Sequence, residues 1–264
     1  MNLDNKIDID NSVEGAARHL LALQRSGQPG ARLPPGCRPA DSDSAFRIQQ
    51  RVAALLGAAI GGWKCALPSP GKVVAAPIYA ATIMHTSPCG VAAVDGLALV
   101  EPEIAFAMGD DLPPRATAYS LAEVRRAIGT THLAFELIGS RYADAAAPDF
   151  LELLADRLLN AGLFVGPSIE YESELALAAC TLTLSGPQGP IGRWDGRHPD
   201  GNPLLALHWL ANFLNSKGCG LQRGQVVTTG SFNGLMRLPL DTALTMRFGQ
   251  LGALDIEFGA LRPR

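Results

Sequence analysis

Residues 97–108 read LALVEPEIAFAM, an apolar run that glycines bound and that two acids two positions apart interrupt. This composition predicts a β-strand. Alternate side chains of a strand point to the same face, so Glu101 and Glu103 are expected to project together. The other side chains divide by size, small ones beside the acids and large ones opposite: Ala105 and Ala107 against Ile104, Phe106 and Met108. The small residues leave space for a bound group beside the acids.

A third acid, Glu136, lies in the otherwise apolar segment 133–138, LAFELI. A buried carboxylate is costly unless it is paired or binds a metal. Three converging carboxylates would repel one another, and a divalent cation removes that repulsion. Hard oxygen ligands favour Mg²⁺ or Mn²⁺ over Ca²⁺ and Zn²⁺. The alternative is an exposed edge strand with Glu136 paired to Arg125 or Arg141.

The segments around these two strands predict an α+β protein with a substantial mixed or antiparallel sheet. Further strands are predicted in 131–139, 162–166, 175–186, 224–232 and 242–259. Apolar residues at helical spacing and capping residues predict helices at 12–25, 43–59, 121–128, 150–160 and 203–217. The polar, Gly-rich segment 192–203, GRWDGRHPDGNP, is predicted to be a loop that borders a site.

Composition excludes several classes of protein. The 264 residues include 22 basic and 25 acidic ones, with a net charge of -3 and no basic block, which argues against a nucleic-acid partner. No run approaches the roughly 18 apolar residues of a membrane span, and the polar N-terminus is not a signal peptide. The five cysteines are scattered, as in reduced proteins. We therefore expect a cytoplasmic protein without a membrane partner.

Short motifs in a fixed order resemble the 2-keto-4-pentenoate hydratase / 4-oxalocrotonate decarboxylase family of the fumarylacetoacetate hydrolase superfamily. They span most of the chain: GWK (62–64), VEPEIAF (100–106), FELIGSRY (135–142), AD (155–156), NAG (160–162), WLAN (209–212), TGSF (229–232) and FGQLG (248–252). The resemblance implies an α+β fold with a mixed β-roll core. It divides the chain into an N-terminal helical region, residues 1–62, and a catalytic β-roll domain, residues 63–264.

The resemblance also implies a site. Mg²⁺ or Mn²⁺ would bind Glu101, Glu103 and Glu136, and Lys64 would be the catalytic residue near a small 2-oxo acid substrate. We further predict that Ser69, Asp156 and Ser231 bind the substrate: Ser231 through its hydroxyl, Asp156 by orienting Lys64 or an arginine. The alternatives are a surface lysine, a solvated helix face at Asp156 and a simple turn at Ser231.

The chain departs from the family pattern at three places, which leaves the reaction open. Residues 65–69, CALPS, replace the usual x-G-L-T-S after Gly-Trp-Lys. Ile78 stands where many hydratases have an aspartate, as in the decarboxylase version, and Arg157 replaces the asparagine of A-D-N. The N-A-G and G-S-F motifs are nevertheless hydratase-like.

Three functions follow, in order of preference. The first is a hydratase that adds water to a 2-hydroxy-2,4-dienoate, giving a 4-hydroxy-2-oxo acid in the degradation of aromatic compounds. The second is a 2-oxo-3-enedioate decarboxylase of the 4-oxalocrotonate type. The third is a weakly active subunit that supports a pathway enzyme. We expect a homo-oligomer, because an exposed sheet face in such a fold often pairs with a neighbour.

Overall fold

A computed structural model describes residues 3–144 and 146–261 of the chain. These residues form five α-helices: α1 (Leu3–Ser26), α2 (Ser42–Leu56), α3 (Leu121–Arg126), α4 (Phe150–Ala155) and α5 (Pro203–Ser216). Their strands are β1 (Ile60–Ser69), β2 (Lys72–Tyr79), β3 (Ile83–Met84), β4 (Cys89–Val91), β5 (Leu97–Met108), β6 (Ile128–Ile138), β7 (Asn160–Ile169), β8 (Ala179–Gly186), β9 (Gly189–Arg197), β10 (Val226–Thr228), β11 (Met236–Pro239), β12 (Leu244–Phe248), β13 (Gly252–Ile256) and β14 (Phe258–Ala260).

The largest sheet is mixed, in the order β2-β1-β10-β5-β6-β7-β3, and β11 pairs with the first half of β5. The pairs β1–β10 and β3–β7 are parallel, and the other neighbours are antiparallel. A four-stranded antiparallel sheet, β13-β12-β8-β9, and the short parallel pair β14–β4 complete the β structure. The α+β class with a mixed sheet is thereby confirmed.

The N-terminal helices form a small apolar cluster of their own. Asp41 caps α2, accepting a hydrogen bond from the Ser44 amide at 2.7 Å. The apolar faces of α1 and α2 meet, and residues from α4 complete their core. The predicted division at residue 62 stays a prediction, and this packing shows that later residues also contribute to the helical cluster.

The two faces of the central strands differ as the side-chain sizes predict. Ile104, Phe106 and Met108 belong to the main hydrophobic core. Ala105 and Ala107 lie on the other face, which also carries the glutamates and which we call the acid face. Small side chains on this face keep it open beside the acids, while the large ones pack the opposite side.

The sequence analysis and the structure differ in four details. Helix α1 begins at Leu3, before the predicted start at residue 12. The first half of 192–203 belongs to strand β9, and the loop follows Arg197. The hairpin of β1 and β2 was not predicted, because glycines, alanines and prolines interrupt the few β-branched residues of its strands. The helix predicted for 150–160 ends at Ala155. In the described parts of the chain, no helix has the length and hydropathy of a bilayer-spanning segment.

Candidate active site

The acid face brings three carboxylates to one point. Glu101 and Glu103 project from β5, and Glu136 is the direct cross-strand neighbour of Glu101 on β6. One carboxylate oxygen from each residue lies within 4.8 Å of the others. Glu103 and Glu136 are buried and Glu101 is half-buried. The period-two spacing on β5 and the register of β6 together produce this convergence.

Burial and mutual repulsion make this group of acids electrostatically unfavourable. Burial, followed by the charge of Glu136, raises the pKa of Glu103 to about 8. The same two causes, in the same order, raise the pKa of Glu101. A nearby positive charge would lower both pKa values, because it stabilises the ionised carboxylates.

The last residue of β10 and the segment that follows it hold Glu103 in place. The Thr228 hydroxyl donates a hydrogen bond to Glu103 Oε2, and the Gly230 amide donates a second one at 2.9 Å. Gly230 has a φ of 126°, and a Cβ atom there would come within 2.8 Å of the Pro199 ring. Glycine is therefore required for the segment to present its amide to Glu103.

Glu136 is held on one oxygen and free on the other. Its Oε1 accepts a hydrogen bond from the side-chain amide of Asn160 at 2.8 Å and forms an ion pair with Lys64 Nζ at 2.8 Å. Its Oε2 is buried and has no hydrogen-bond partner among the described residues. A buried carboxylate oxygen without a donor costs free energy, so this atom is suited to bind a cation.

Lys64 lies on β1 with its ammonium directed to the acids, and it is not a surface lysine. Nζ also donates to the Leu158 carbonyl at 3.2 Å. Burial disfavours the ammonium, but the charge of Glu136, with those of Glu103 and Glu101, raises the pKa of Lys64 above its ordinary value. The lysine is therefore positively charged in this arrangement.

An unusual backbone turn carries that carbonyl. Arg157, Leu158 and Leu159 have φ values of 63°, 51° and 65°, which lie in the left-handed region. This conformation costs about 1–2 kcal/mol for each non-glycine residue. The turn directs the Leu158 carbonyl to Lys64 and the Leu159 carbonyl to the Gly139 amide, at 2.9 Å. Such strain persists where the surrounding structure holds it, typically at functional sites.

The alternative partners of Glu136 are both occupied elsewhere. Arg141 pairs with Asp156, with 2.8 Å from its Nε to each carboxylate oxygen, and also donates to the Asn160 carbonyl at 2.7 Å. Arg125 pairs with Glu174. Arg141 in turn holds Asn160, which contacts Glu136. Asp156 is thus buried against an arginine, one of the two partners predicted for it, and does not lie on a solvated helix face. Its predicted contact with substrate stays a prediction.

The other two predicted substrate-binding residues lie farther from the acids or serve local structure. Ser231 follows Gly230, and its hydroxyl contacts the Gly234 and Pro102 carbonyls at 3.2 and 3.4 Å. Ser69 is exposed at the β1–β2 turn, five residues along the strand from Lys64, which corresponds to roughly 16 Å. The structure does not bring Ser69 to the acids, and both roles stay predictions.

Two residues join the loop after β9 to the site. His198 is buried, and its Nε2 lies 3.2 Å from the Thr229 hydroxyl. Asp200 Oδ2 accepts a hydrogen bond from the Leu67 amide at 2.8 Å, on the strand that carries Lys64. A long-range contact of this kind has no local sequence signal. Thr228 and Asn160, by contrast, adjoin or begin recognisable motifs, TGSF and NAG.

The donor set fits a divalent cation. Three carboxylates converge, and one buried oxygen, Oε2 of Glu136, has no hydrogen-bond donor among the described residues. Asn160 and Thr228 donate the hydrogen bonds that orient the acids. Oxygen-only ligands suit Mg²⁺ or Mn²⁺. Orienting hydrogen bonds of this type are characteristic of metal sites.

Comparison with characterised proteins shows which enzymes the chain is similar to. It is 28% identical to 2-keto-4-pentenoate hydratase of Paraburkholderia phymatum, over 94% of this chain and 98% of the relative. It is 27% identical to the enzyme of the same name from Burkholderia vietnamiensis, again over 94% and 98%. The chain is therefore similar to 2-keto-4-pentenoate hydratases over nearly its whole length. No family model matches it.

Solved structures show the same fold as this chain. The 4-oxalocrotonate decarboxylase of Pseudomonas putida G7, complexed with magnesium and adipate, superimposes with a TM-score of 0.72 at 18% identity. The match covers 94% of this chain and 98% of the decarboxylase. The similarity extends more weakly, at a TM-score of 0.50, to a fumarylacetoacetate hydrolase family protein of Yersinia pestis. The predicted fold type is confirmed.

Proposed function

We propose that this protein is a metal-dependent lyase that adds water to a 2-hydroxy-2,4-dienoate to give a 4-hydroxy-2-oxo acid. The observation that carries the proposal is the convergence of Glu101, Glu103 and Glu136 beside Lys64. The names of the curated relatives, which include a 2-hydroxyhexa-2,4-dienoate hydratase of Comamonas testosteroni, support the choice of reaction. The substrate is a small molecule that needs no nucleic-acid or membrane partner.

The proposed cofactor is Mg²⁺ or Mn²⁺, held by the three glutamates. When bound, the cation supplies a Lewis acid for the carboxylate and 2-oxo oxygens of the substrate. Thr228 and the Gly230 amide keep Glu103 oriented, and Asn160 keeps Glu136 oriented. Because these donors are fixed before anything binds, little reorganisation is needed when the cation and substrate arrive.

Lys64 is the proposed catalytic residue. Its ammonium sits between the Glu136 carboxylate and the Leu158 carbonyl, so its position is fixed by two strong acceptors. A positioned ammonium can anchor the substrate carboxylate or move a proton along the conjugated chain. Asp156 and Arg141 support Lys64 indirectly, because their contacts fix the left-handed turn at 157–159 and the start of β7.

One observation favours the decarboxylase as a second candidate. Ile78, at the position where many hydratases have an aspartate, is fully buried on the acid face in an apolar cluster with Ala105. No carboxylate is available there to activate water. Decarboxylation of a 2-oxo-3-enedioate requires only that CO₂ leaves and that a proton is delivered, so the loss of an acid matters less.

The test is a panel of 2-hydroxydienoates and 2-oxo-enedioates, each assayed with Mg²⁺ and with Mn²⁺. Formation of a 4-hydroxy-2-oxo acid supports the hydratase, and release of CO₂ supports the decarboxylase. Loss of either activity in Glu136→Gln, with the fold intact, ties it to this site. Absence of turnover throughout, together with stable binding to a pathway enzyme, would replace both proposals with that of a supporting subunit.

The proposal also keeps the expectation of a cytoplasmic homo-oligomer. Size-exclusion chromatography with light scattering tests the oligomeric part, since a monomer at assay concentration would contradict it.

A further inference from the structure

Two strands of the site part just beyond the residues that they contribute to it. Strands β1 and β10 are parallel and pair in register as far as Lys64 and Thr228. There β10 ends, whereas β1 continues to Ser69. The chain after β10 turns towards the acids, and the Gly230 amide donates a hydrogen bond to Glu103. The two chains therefore separate next to Lys64 and next to the donors that hold Glu103.

The loop after β9 lies between these two chains. Its first three residues, His198, Pro199 and Asp200, are called the wedge here. On one side, Asp200 Oδ2 accepts a hydrogen bond from the Leu67 amide at 2.8 Å, beyond the point where the pairing of β1 with β10 stops. On the other side, His198 Nε2 lies 3.2 Å from the Thr229 hydroxyl. The wedge thus contacts both chains where they part.

The neighbours of His198 decide which of its ring nitrogens carries the proton. The Asp200 amide donates to Nδ1 at 3.2 Å, so Nδ1 is an acceptor and the proton of the neutral ring is on Nε2. Burial lowers the pKa of His198, which favours the neutral ring. The ring also packs edge-on against Phe232, with 5.7 Å between the centroids. In this arrangement Nε2 donates to the Thr229 hydroxyl.

Thr229 lies between the two donors of Glu103. The Thr228 hydroxyl and the Gly230 amide both donate to Glu103 Oε2. Thr229 is fully buried, and its hydroxyl accepts from His198. A displacement of Thr229 would move both neighbouring donors together, because the three residues are consecutive in the chain.

We propose that His198 is a positioning residue of the site. By holding Thr229 it keeps both donors of Glu103 in place, and the wedge sets the spacing between those donors and strand β1, which carries Lys64. The inference rests on the proposed function, in which Glu103 binds the cation and Lys64 acts on the substrate. The effect of His198 on metal affinity and on turnover passes through these residues.

Two amide substitutions separate the ring nitrogens of His198. The asparagine side chain can replace Nδ1 but is too short to reach Thr229, whereas the glutamine amide extends as far as Nε2. Calorimetric titration of the full-length protein with Mn²⁺ should give a Kd about three- to tenfold higher in His198→Asn, as loss of one neutral hydrogen bond implies. The Kd of His198→Gln should stay within about twofold of the wild type. Equal losses in the two variants would contradict a role for the Nε2 hydrogen bond.

A double-mutant cycle shows whether His198 acts through Thr229. Thr229→Val removes the acceptor with little change of shape and should weaken Mn²⁺ binding about as much as His198→Asn, while Thr229→Ser keeps the hydroxyl and should bind normally. The double variant should bind within about twofold of the weaker single variant. Additive losses would overturn the proposal. If His198→Asn does not fold, the Thr229 variants decide, and equal Kd values in Thr229→Val and Thr229→Ser refute it.

A second histidine provides a matched control. His208 lies on α5, and its Nε2 is 2.8 Å from the Tyr119 carbonyl. His208→Asn removes a contact of the same ring nitrogen, so it should lower the free energy of unfolding and leave the Mn²⁺ Kd within about twofold of the wild type. A loss of metal affinity as large as that of His198→Asn would show that general destabilisation causes both effects, and would overturn the proposal.

Kinetics at saturating Mn²⁺ test the spacing between the two parts of the site. His198→Asn should lower kcat about tenfold or more and leave KM within about threefold. An unchanged kcat would overturn this part of the proposal. Failure of the wild type to bind Mn²⁺ would overturn the proposed function and the inference with it, whereas wild-type binding that His198→Asn leaves unchanged would overturn the inference alone. Weaker metal binding in His198→Asn, with no turnover by the wild type, would support the positioning of Glu103 and overturn the proposed reaction.

Discussion

Replacing Thr228 with valine tests how the site holds its cation. Thr228 is fully buried, and its hydroxyl donates to Glu103 Oε2, which also accepts the Gly230 amide at 2.9 Å. Valine has nearly the same shape, so the substitution removes a single hydrogen bond and leaves the packing of β10 almost unchanged. The orientation and charge of Glu103 then depend on one donor.

The size of the effect follows from the charge on the acceptor. A hydrogen bond to an ionised group contributes about 1.5–3 kcal/mol, and loss of a residue that orients a metal ligand typically weakens metal binding about 10- to 100-fold. The two figures agree, since tenfold corresponds to about 1.4 kcal/mol. The stability without metal should fall less, because the pKa of Glu103 is about 8 and the carboxyl can carry a proton when no cation is bound.

Calorimetric titration with Mg²⁺ and Mn²⁺ at one pH measures the effect directly. Thr228→Ser keeps the hydroxyl and should bind metal nearly as the wild type does. Thr131→Val is the matched control, because Thr131 is buried on β6 next to Phe106, on the face opposite the acids. A metal Kd within about threefold of the wild type in Thr228→Val, with the fold intact, would refute the assignment of Glu103 as an oriented ligand.

Three other substitutions probe the remaining parts of the site. Glu103→Gln removes one ligand charge and should lose most metal affinity, and unchanged titration with Mn²⁺ would rule Glu103 out as a ligand. Lys64→Met frees Glu136 Oε1 from its ion pair, so metal binding should be retained. The kcat should fall about 100-fold or more. A preserved kcat would show that Lys64 takes no part in catalysis. Asp200→Ala removes the acceptor of the Leu67 amide and should lower the free energy of unfolding, measured with denaturant, by about 1–3 kcal/mol. Asp200→Asn keeps an acceptor oxygen and should stay close to the wild type. Equal losses in both variants would contradict this role of the hydrogen bond.

Much of the fold and the core of the site follow from local patterns. The strand at 97–108 was predicted with the boundaries that the structure has, because its apolar run is long and ends at glycines. The same alternation placed Glu101 and Glu103 on one face, and the apolar setting of Glu136 marked it as unusual. Helices α2 and α5 also lie where their apolar spacing predicts them, whereas α1 begins at Leu3, before its predicted start at residue 12.

Other features are invisible in the sequence because they depend on contacts between distant segments. The register of β5 on β6, which makes Glu101 and Glu136 neighbours, is set by packing of the whole sheet. The left-handed turn at 157–159 was predicted as helix, since no glycine signals it and tertiary contacts hold it.

The sequence by itself therefore predicted the α+β class and the three acids, because period-two strands and an isolated charge in an apolar segment leave local traces. Lys64 was predicted only through the family motif Gly-Trp-Lys. Only the tertiary structure decided what each charge faces. It paired Arg141 with Asp156 and Lys64 with Glu136, and it stacked Arg157 over Tyr79. Charge pairing depends on distances of a few ångströms between residues far apart in the chain, which composition and spacing do not encode.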